Sequence, residues 1–539
     1  MKWRWMIASP LVFVALALSL SAQPTALDEG VRLFREGRFD QALVKLEEAH
    51  RIAPRNATVE NLLGITETRL GHINEACNHY RNAIRLDASQ DAPHRNLGFN
   101  LLNSKDFVHA EPELHEASRL NPNDHFAHYY LLLLALATGH DAEALVEASR
   151  AGQLVDNDPE AGAGLIEAEI RMGRVDEATS GIERLEKANQ LPSAREYSIA
   201  VLLSQHAFYP QEVHCFRRIA TLDSSWENRY NLALALLYDR QSVEASTLLA
   251  ALHTERPAHA DTLMFLGSAF EMQQKMPEAL EAYRAALVAD PSNPDRTLDY
   301  TRLLLDLDRY DEAIQVVQTG MGQTSSTAPL ELRLGAVEMI KGNYAAARDA
   351  FHAALATDPK LDVAYVGLAQ TYARQANDVE AIHILEAARD ELPGHYLLEY
   401  YFGLLASRLG REQEAILALE KAAQLEPNSP DPFYELGKLY GAQQNWPQAR
   451  QALEHVIELN PKSSPAHYQL SRVYAHLGLN SRAEQEARQT HTLVDAQRDQ
   501  ALRKQRERAA SFQPETPATL SHLPRTGTDP FFYKDYGLE

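Results

Sequence analysis

Six tyrosines, Tyr129, Tyr197, Tyr230, Tyr400, Tyr434 and Tyr468, recur at one position of a repeating unit, the last three at intervals of 34 residues. A phenol ring combines a large apolar face with a hydroxyl that can donate or accept, so such a row suits capture of an extended peptide or a sugar chain. Histidine is the other chemically capable residue in quantity, with 21 copies. His94 and His128 are 34 residues apart and His125 stands one helical turn before His128. Three imidazoles could hold a metal, but no Cys or carboxylate is fixed beside them by motif, so no metal is assigned. Arg503, Lys504, Arg506 and Arg508 could contact an anionic cell-wall or membrane surface. Interleaved with Glu507, they read more simply as a solvated helix end. For catalysis nothing assembles: there is no phosphate-binding Gly-rich loop, no nucleophile elbow, no HExxH and no paired carboxylate outside the repeat register. No catalytic residue and no cofactor is expected.

What must position the tyrosines is written in a column of alanines. Ala42, Ala76, Ala110, Ala144 and Ala178 are spaced by 34; the series passes through Glu212, slips by one, and resumes at Ala245, Ala279, Ala313, Ala347, Ala381, Ala415, Ala449 and Ala483. Twelve residues earlier lies a second column of mostly small residues, among them Gly30, Gly64, Gly98, Gly267, Gly335, Gly403 and Gly437. Small side chains at both columns allow two helices to approach closely. Around them the apolar residues keep helical spacing: Leu263, Leu266 and Phe270 share one face of a first helix, and Ala279, Tyr283 and Ala286 one face of a second. Prolines at 54, 122, 257, 291, 359, 393, 427 and 461 close most units, since proline just past a helix end stops it and biases the preceding residue to extended geometry. Acidic pairs before the alanine, Asp176-Glu177 and Asp311-Glu312, favour the positive end of the second helix dipole by roughly 0.3–1 kcal/mol each.

A small residue in the first helix, alanine in the second and a closing proline at a 34-residue period resemble the tetratricopeptide repeat. Leu266-Gly267…Phe270…Ala279…Tyr283…Ala286…Pro291 matches that pattern almost position for position, and Leu436-Gly437…Tyr440…Ala449…Leu453…Pro461 nearly as well. The resemblance covers about residues 23–496. It implies an all-α, right-handed superhelical solenoid of about fourteen helix–turn–helix repeats, whose inner groove is lined by first helices and therefore by the six tyrosines. Tyrosine is also simply common at that slot in the family. Two of the family's binding modes are not supported. The slots that hold paired Lys and Asn in members binding a peptide carboxylate hold Leu27, Val31, Leu62, Ala92 and Asn96, and an asparagine ladder is reduced to Asn96 and Asn231. Repeat 6 departs from the pattern, with Glu212 for alanine and Pro210 before its second helix. Gly320 to Thr327 replaces a closing proline, and bends are expected at both places.

The expected organisation is a signal peptide over 1–22, repeats 1–5 over 23–192, repeats 6–9 over 193–326, repeats 10–14 over 327–496, a charged capping helix over 497–510 and a disordered tail over 511–539. The leader has Lys2 and Arg4, an apolar run from Leu11 to Leu20 and the small residues of a cleavage site ending at Ala22. Its apolar run is too short to span a membrane, and no integral span is expected in the mature form. This predicts a periplasmic or secreted protein. Cys77 and Cys215, four repeats apart, read as small core fillers rather than a disulfide. The formal charge is −22 and becomes −24 without Lys2 and Arg4, which disfavours nucleic acid and anionic lipid as partners. The expected function is therefore a non-enzymatic exported scaffold that binds protein or peptide partners in its groove, in envelope assembly, secretion or a surface complex. A module contacting polysaccharide or peptidoglycan is the alternative. The aromatic stretch Pro530 to Tyr536 reads as a short docking motif, with the chain's own groove as one destination.

Overall fold

The computed structural model describes residues 25–511, with side chains through residue 499. The expected leader and the tail with its aromatic stretch lie outside these residues, as do the side chains of the basic cluster at 503–508. The described residues form twenty-nine helices and no strand. Twenty-eight of them pair into fourteen hairpins of a first helix (A) and a second helix (B), in the register read from the alanines. Repeat 1 is Ala26–Arg35 with Phe39–Ile52, and repeat 14 is Ser464–His476 with Asn480–Ser511. The extra helix, Gln153–Asp156, arises in repeat 4. There helix B stops at Ala151 and Gly152, at φ 60°, turns the chain into a single further turn.

The alanine column lies where helix B meets helix A. All twelve alanines from Ala42 to Ala449 are fully buried, whereas Ala483, in the last repeat, is only partly covered because no further repeat stacks on it. The glycine column does bring the two helices close, a Cβ at Gly98 standing 3.3 Å from the Leu114 backbone nitrogen, and it does more than that. Each helix-A glycine receives the large side chain sixteen residues on, one turn beyond the alanine. A Cβ at Gly98 would stand 2.6 Å from Leu114 Cγ, one at Gly403 2.6 Å from Leu419 Cγ, and one at Gly64 2.5 Å from Tyr80 Cε1. Glycine is therefore a socket for a Leu, Tyr or Phe knob, and the knob supplies the hydrophobic burial, worth roughly 1.5–3 kcal/mol each.

The A-to-B turn holds a second strict column. In all fourteen repeats the residue seven beyond the glycine slot is left-handed: Gly37, Gly71, Gly139, Gly173, Gly342, Gly410 and Gly478, and also Lys105, Ala207, Arg240, Gln274, Asp308, Ala376 and Gln444. The tight turn dictates this conformation whatever the side chain. Repeat 6 obeys it too, and forms the hairpin Ser193–Gln205 with Tyr209–Leu222 despite Glu212, which is buried in the alanine slot. The acidic pairs at 176–177 and 311–312 occupy the first turns of their B helices, as expected.

The chain divides into two compact units between Asn228 and Arg229, inside helix A of repeat 7 (Trp226–Tyr238). In the first, hydrophobic clusters run from Leu46 to Leu63, from Ala76 to Leu134 and from Leu132 to Val155. In the second they run from Leu263 to Val337 and from Met339 to Tyr474. Cys77 and Cys215 are both buried free thiols, the filler role read from their positions. No helix among the described residues is long and apolar enough to cross a membrane.

Candidate functional site

Helix A of each of repeats 12, 13 and 14 (Tyr396–Arg408, Pro430–Ala442, Ser464–His476) packs against helix A of its neighbour, so the three make one continuous surface. No pair of B helices shares comparable contact among the described residues. The A face is thus the closely spaced side, and its fifth position carries Tyr400, Tyr434 and Tyr468. The three rings are not equivalent. Tyr400 is half-buried, packs on the core, stacks on Tyr396 with ring centroids 5.9 Å apart and planes 4° from parallel, and meets Tyr401 edge-on at 5.2 Å. Burial pushes its phenol far above the usual range, and the nearby Asp431 and Glu435 carboxylates add to the effect. Tyr434 is half-buried with the Lys438 ammonium 5.2 Å from its centroid. Tyr468 is 52% exposed with the Arg472 guanidinium 5.9 Å away. The face therefore opens from a packed aromatic pair toward an accessible ring, each accessible ring having a cation on the next turn of the same helix. Lys438 is in turn paired with Glu435 at 2.7 Å.

The other three tyrosines do not join this patch. Tyr129, in repeat 4, donates its hydroxyl to Asp158 Oδ2, while Asp158 Oδ1 caps helix A of repeat 5 (Pro159–Arg171) by accepting from the Glu160 and Ala161 amides. Its hydroxyl is committed to joining two repeats. Tyr197, in repeat 6, is 41% exposed and lies edge-on to Phe216 at 5.7 Å. Tyr230, in repeat 7, is wedged edge-on against His259 at 5.4 Å and Phe265 at 6.3 Å. An open cleft lined by His253, Pro257, Leu263, Glu281, Arg284 and Val288 lies elsewhere, between helix B of repeat 7, the loop after it and both helices of repeat 8.

The histidines found partners that their spacing alone did not reveal. No carboxylate stands beside His94 or His128 in sequence, yet each Nδ1 meets a glutamate nineteen residues on, Glu113 at 2.6 Å and Glu147. His125 Nδ1 instead donates to the Arg150 carbonyl at 2.6 Å. Among the described residues no group of three or more His, Cys, Asp or Glu is placed to hold a metal ion. The pairing could have been found from the 34-residue register, because a residue at the fourth position of helix A always faces the twenty-third position, in helix B.

Models of the tetratricopeptide repeat match residues 230–294 and 434–490, and residues 271–328 and 338–407; a further TPR repeat model matches 408–444. No curated protein matches. Solved structures similar to the chain include a tetratricopeptide repeat protein from Parabacteroides merdae, 20% identical over 46% of this chain and 99% of that one, with a TM-score of 0.37. Yeast Tom70 is 14% identical over 81% and 98%, TM-score 0.37, and MamA 23% identical over 31% and 97%, TM-score 0.29. The matched residues all lie in the second unit, and the same left-handed turn recurs every 34 residues through repeats 1–6 of the first. The chain belongs to the tetratricopeptide-repeat family.

Proposed function

We propose that the chain is a non-enzymatic, exported scaffold that binds an extended segment of a protein partner on the A face of repeats 12–14. The observation that carries this reading is the placement of Tyr400, Tyr434 and Tyr468 at one register of three touching helices, with Tyr468 half in solvent. Repeats of this family act as protein-binding scaffolds, which favours a protein over a small-molecule ligand. A repeat surface offers large area at little ordering cost, and tyrosine rings that can be fully desolvated are typical of residues whose truncation costs more than about 1 kcal/mol of binding. Lys438 and Arg472 let the surface take acidic side chains of the partner, while Asp431 and Glu435 take basic ones at the neighbouring turn.

Capture from envelope extract by the full chain tests the binding site. Tyr434→Ala with Tyr468→Ala should lose a stoichiometric partner that wild type retains; retention at wild-type yield would remove repeats 12–14 as the site. The export half is tested separately by the N-terminal residue of the mature protein, which should be Gln23.

A further inference from the structure

In repeats 2, 3, 4 and 14 the fourth position of helix A and the twenty-third position of the repeat form a histidine–glutamate couple. His94 meets Glu113, His128 meets Glu147 and His467 meets Glu486. In repeat 2 the two residues are exchanged: Glu60 lies on helix A (Ala57–Leu70) and His79 on helix B (Ile73–Leu86), with Nδ1 2.7 Å from the carboxylate. The separation is nineteen residues in every case. An exchange that keeps the pair while reversing its members shows that the site is built for a basic ring against an acid, whichever helix supplies each.

Each couple has at least one buried member, and His128 with Glu147 is buried on both sides. His94, His128, His467 and Glu60 are buried, and Glu147 is buried as well. His128 and His467 have an acceptor on both ring nitrogens: Nε2 lies 3.0 Å from the Pro122 carbonyl oxygen and 3.1 Å from that of Pro461. Both contacts are filled only by an imidazole with hydrogen on each nitrogen, whereas His94 Nε2 has no hydrogen-bond partner. The other charges around the couples are few. Glu116 joins Glu113 in facing His94 from the same B helix (Phe107–Leu120), and Arg95 beside it is bound to Asp124 at 2.6 Å. Asp124 is also the cap one turn before His128. Arg150 donates to the second oxygen of Glu147 at 3.0 Å. Glu60 receives, besides His79, Asn82 at 3.5 Å, and His50 of repeat 1 lies 3.1 Å from its other oxygen without hydrogen-bond geometry.

We propose that the His94–Glu113 couple of repeat 3 is a proton-loaded clasp that holds helix A on helix B, so that this hairpin is tightest in mild acid and loosens as pH rises past neutrality. The bond from Glu113 raises the His94 imidazole above its ordinary value of 6.5. A histidine raised in the folded state contributes stability that is complete below the unfolded value, and loses it as pH climbs through the folded one. The window therefore opens near pH 6.5 and lies above it. Repeats 8, 11 and 13 carry Leu263 with Ala282, Tyr365 with Ile384 and Phe433 with Ala452 at the two positions, so they lack the couple and serve as internal references.

Hydrogen exchange of the full chain, read by mass spectrometry and corrected for the intrinsic pH effect, tests the proposal. Between pH 6 and 8.5, protection of peptides from residues 91–120 should fall several-fold relative to peptides from repeats 8, 11 and 13. Glu113→Gln should flatten this relative slope in repeat 3. Protection in residues 91–120 that is constant or rises with pH in wild type would overturn the proposal, as would a wild-type slope in the folded variant. If the variant does not fold, the wild-type profile decides alone.

Discussion

Glu169 is half-buried on helix A of repeat 5, and its carboxyl titrates at about 7. Burial is the main cause; the Glu177 carboxylate adds to the shift and Arg184 and Arg174 partly offset it. An acid raised in the folded state favours folding while protonated, so its contribution is lost as pH rises from about 4.5 to about 7 and is constant beyond. Glu169→Gln should therefore match wild type in thermal stability near pH 4.5, gain on it up to pH 7 and hold that gain above. A difference that does not change with pH would refute the assignment. The same scale separates the six tyrosines. Tyr129 spends its hydroxyl on Asp158, while Tyr468 leaves half its surface open. Identical residues at one register thus serve different ends according to what the adjoining repeat offers.

At the scale of the helix pair, the knob-in-socket contact sets the spacing. Gly403→Ala would place a methyl 2.6 Å from Leu419 Cγ and 3.3 Å from the Ala415 carbonyl, neither of which can move freely. Alanine gains about 1 kcal/mol of helix propensity over glycine, but overpacking a filled core costs typically 1–3 kcal/mol. The variant should lose about 1 kcal/mol net in urea unfolding, and a more stable Gly403→Ala would show that the socket has slack. The turn offers the opposite opportunity. Gln444 holds φ 60° between the helices of repeat 13, a conformation that costs a side chain about 1 kcal/mol or more and glycine almost nothing. Gln444→Gly should raise the melting temperature, and no change would mean that the left-handed turn is not under strain.

At the scale of the molecule, stability in a repeat array comes from each hairpin and its nearest neighbours. The second unit keeps its two large clusters, Leu263 to Val337 and Met339 to Tyr474, within itself. A fragment of residues 226–511, which retains all of helix A of repeat 7, should fold alone with full helical circular dichroism and a cooperative urea transition. A fragment that stays unfolded would mean that repeats 1–6 are needed to template it.

Legibility in the sequence followed from distance along the chain. The alanine column, the hairpin register and the closing prolines depend on contacts within a 34-residue unit, and steric demands on that unit recur fourteen times, so periodicity exposes them. The same logic made the tyrosine column visible, because a register position is a sequence property. Which of its members is accessible was not, since exposure depends on the neighbour across the repeat interface: Asp158 for Tyr129, Asp431 and Glu435 for Tyr400. The close approach at the glycines was legible, but the socket each one forms was not, because the knob that fills it lies sixteen residues away on another helix. The buried couples were missed for a related reason. Imidazole and carboxylate sit nineteen residues apart, and only the folded hairpin brings the two side chains into contact, with at least one member of each couple buried.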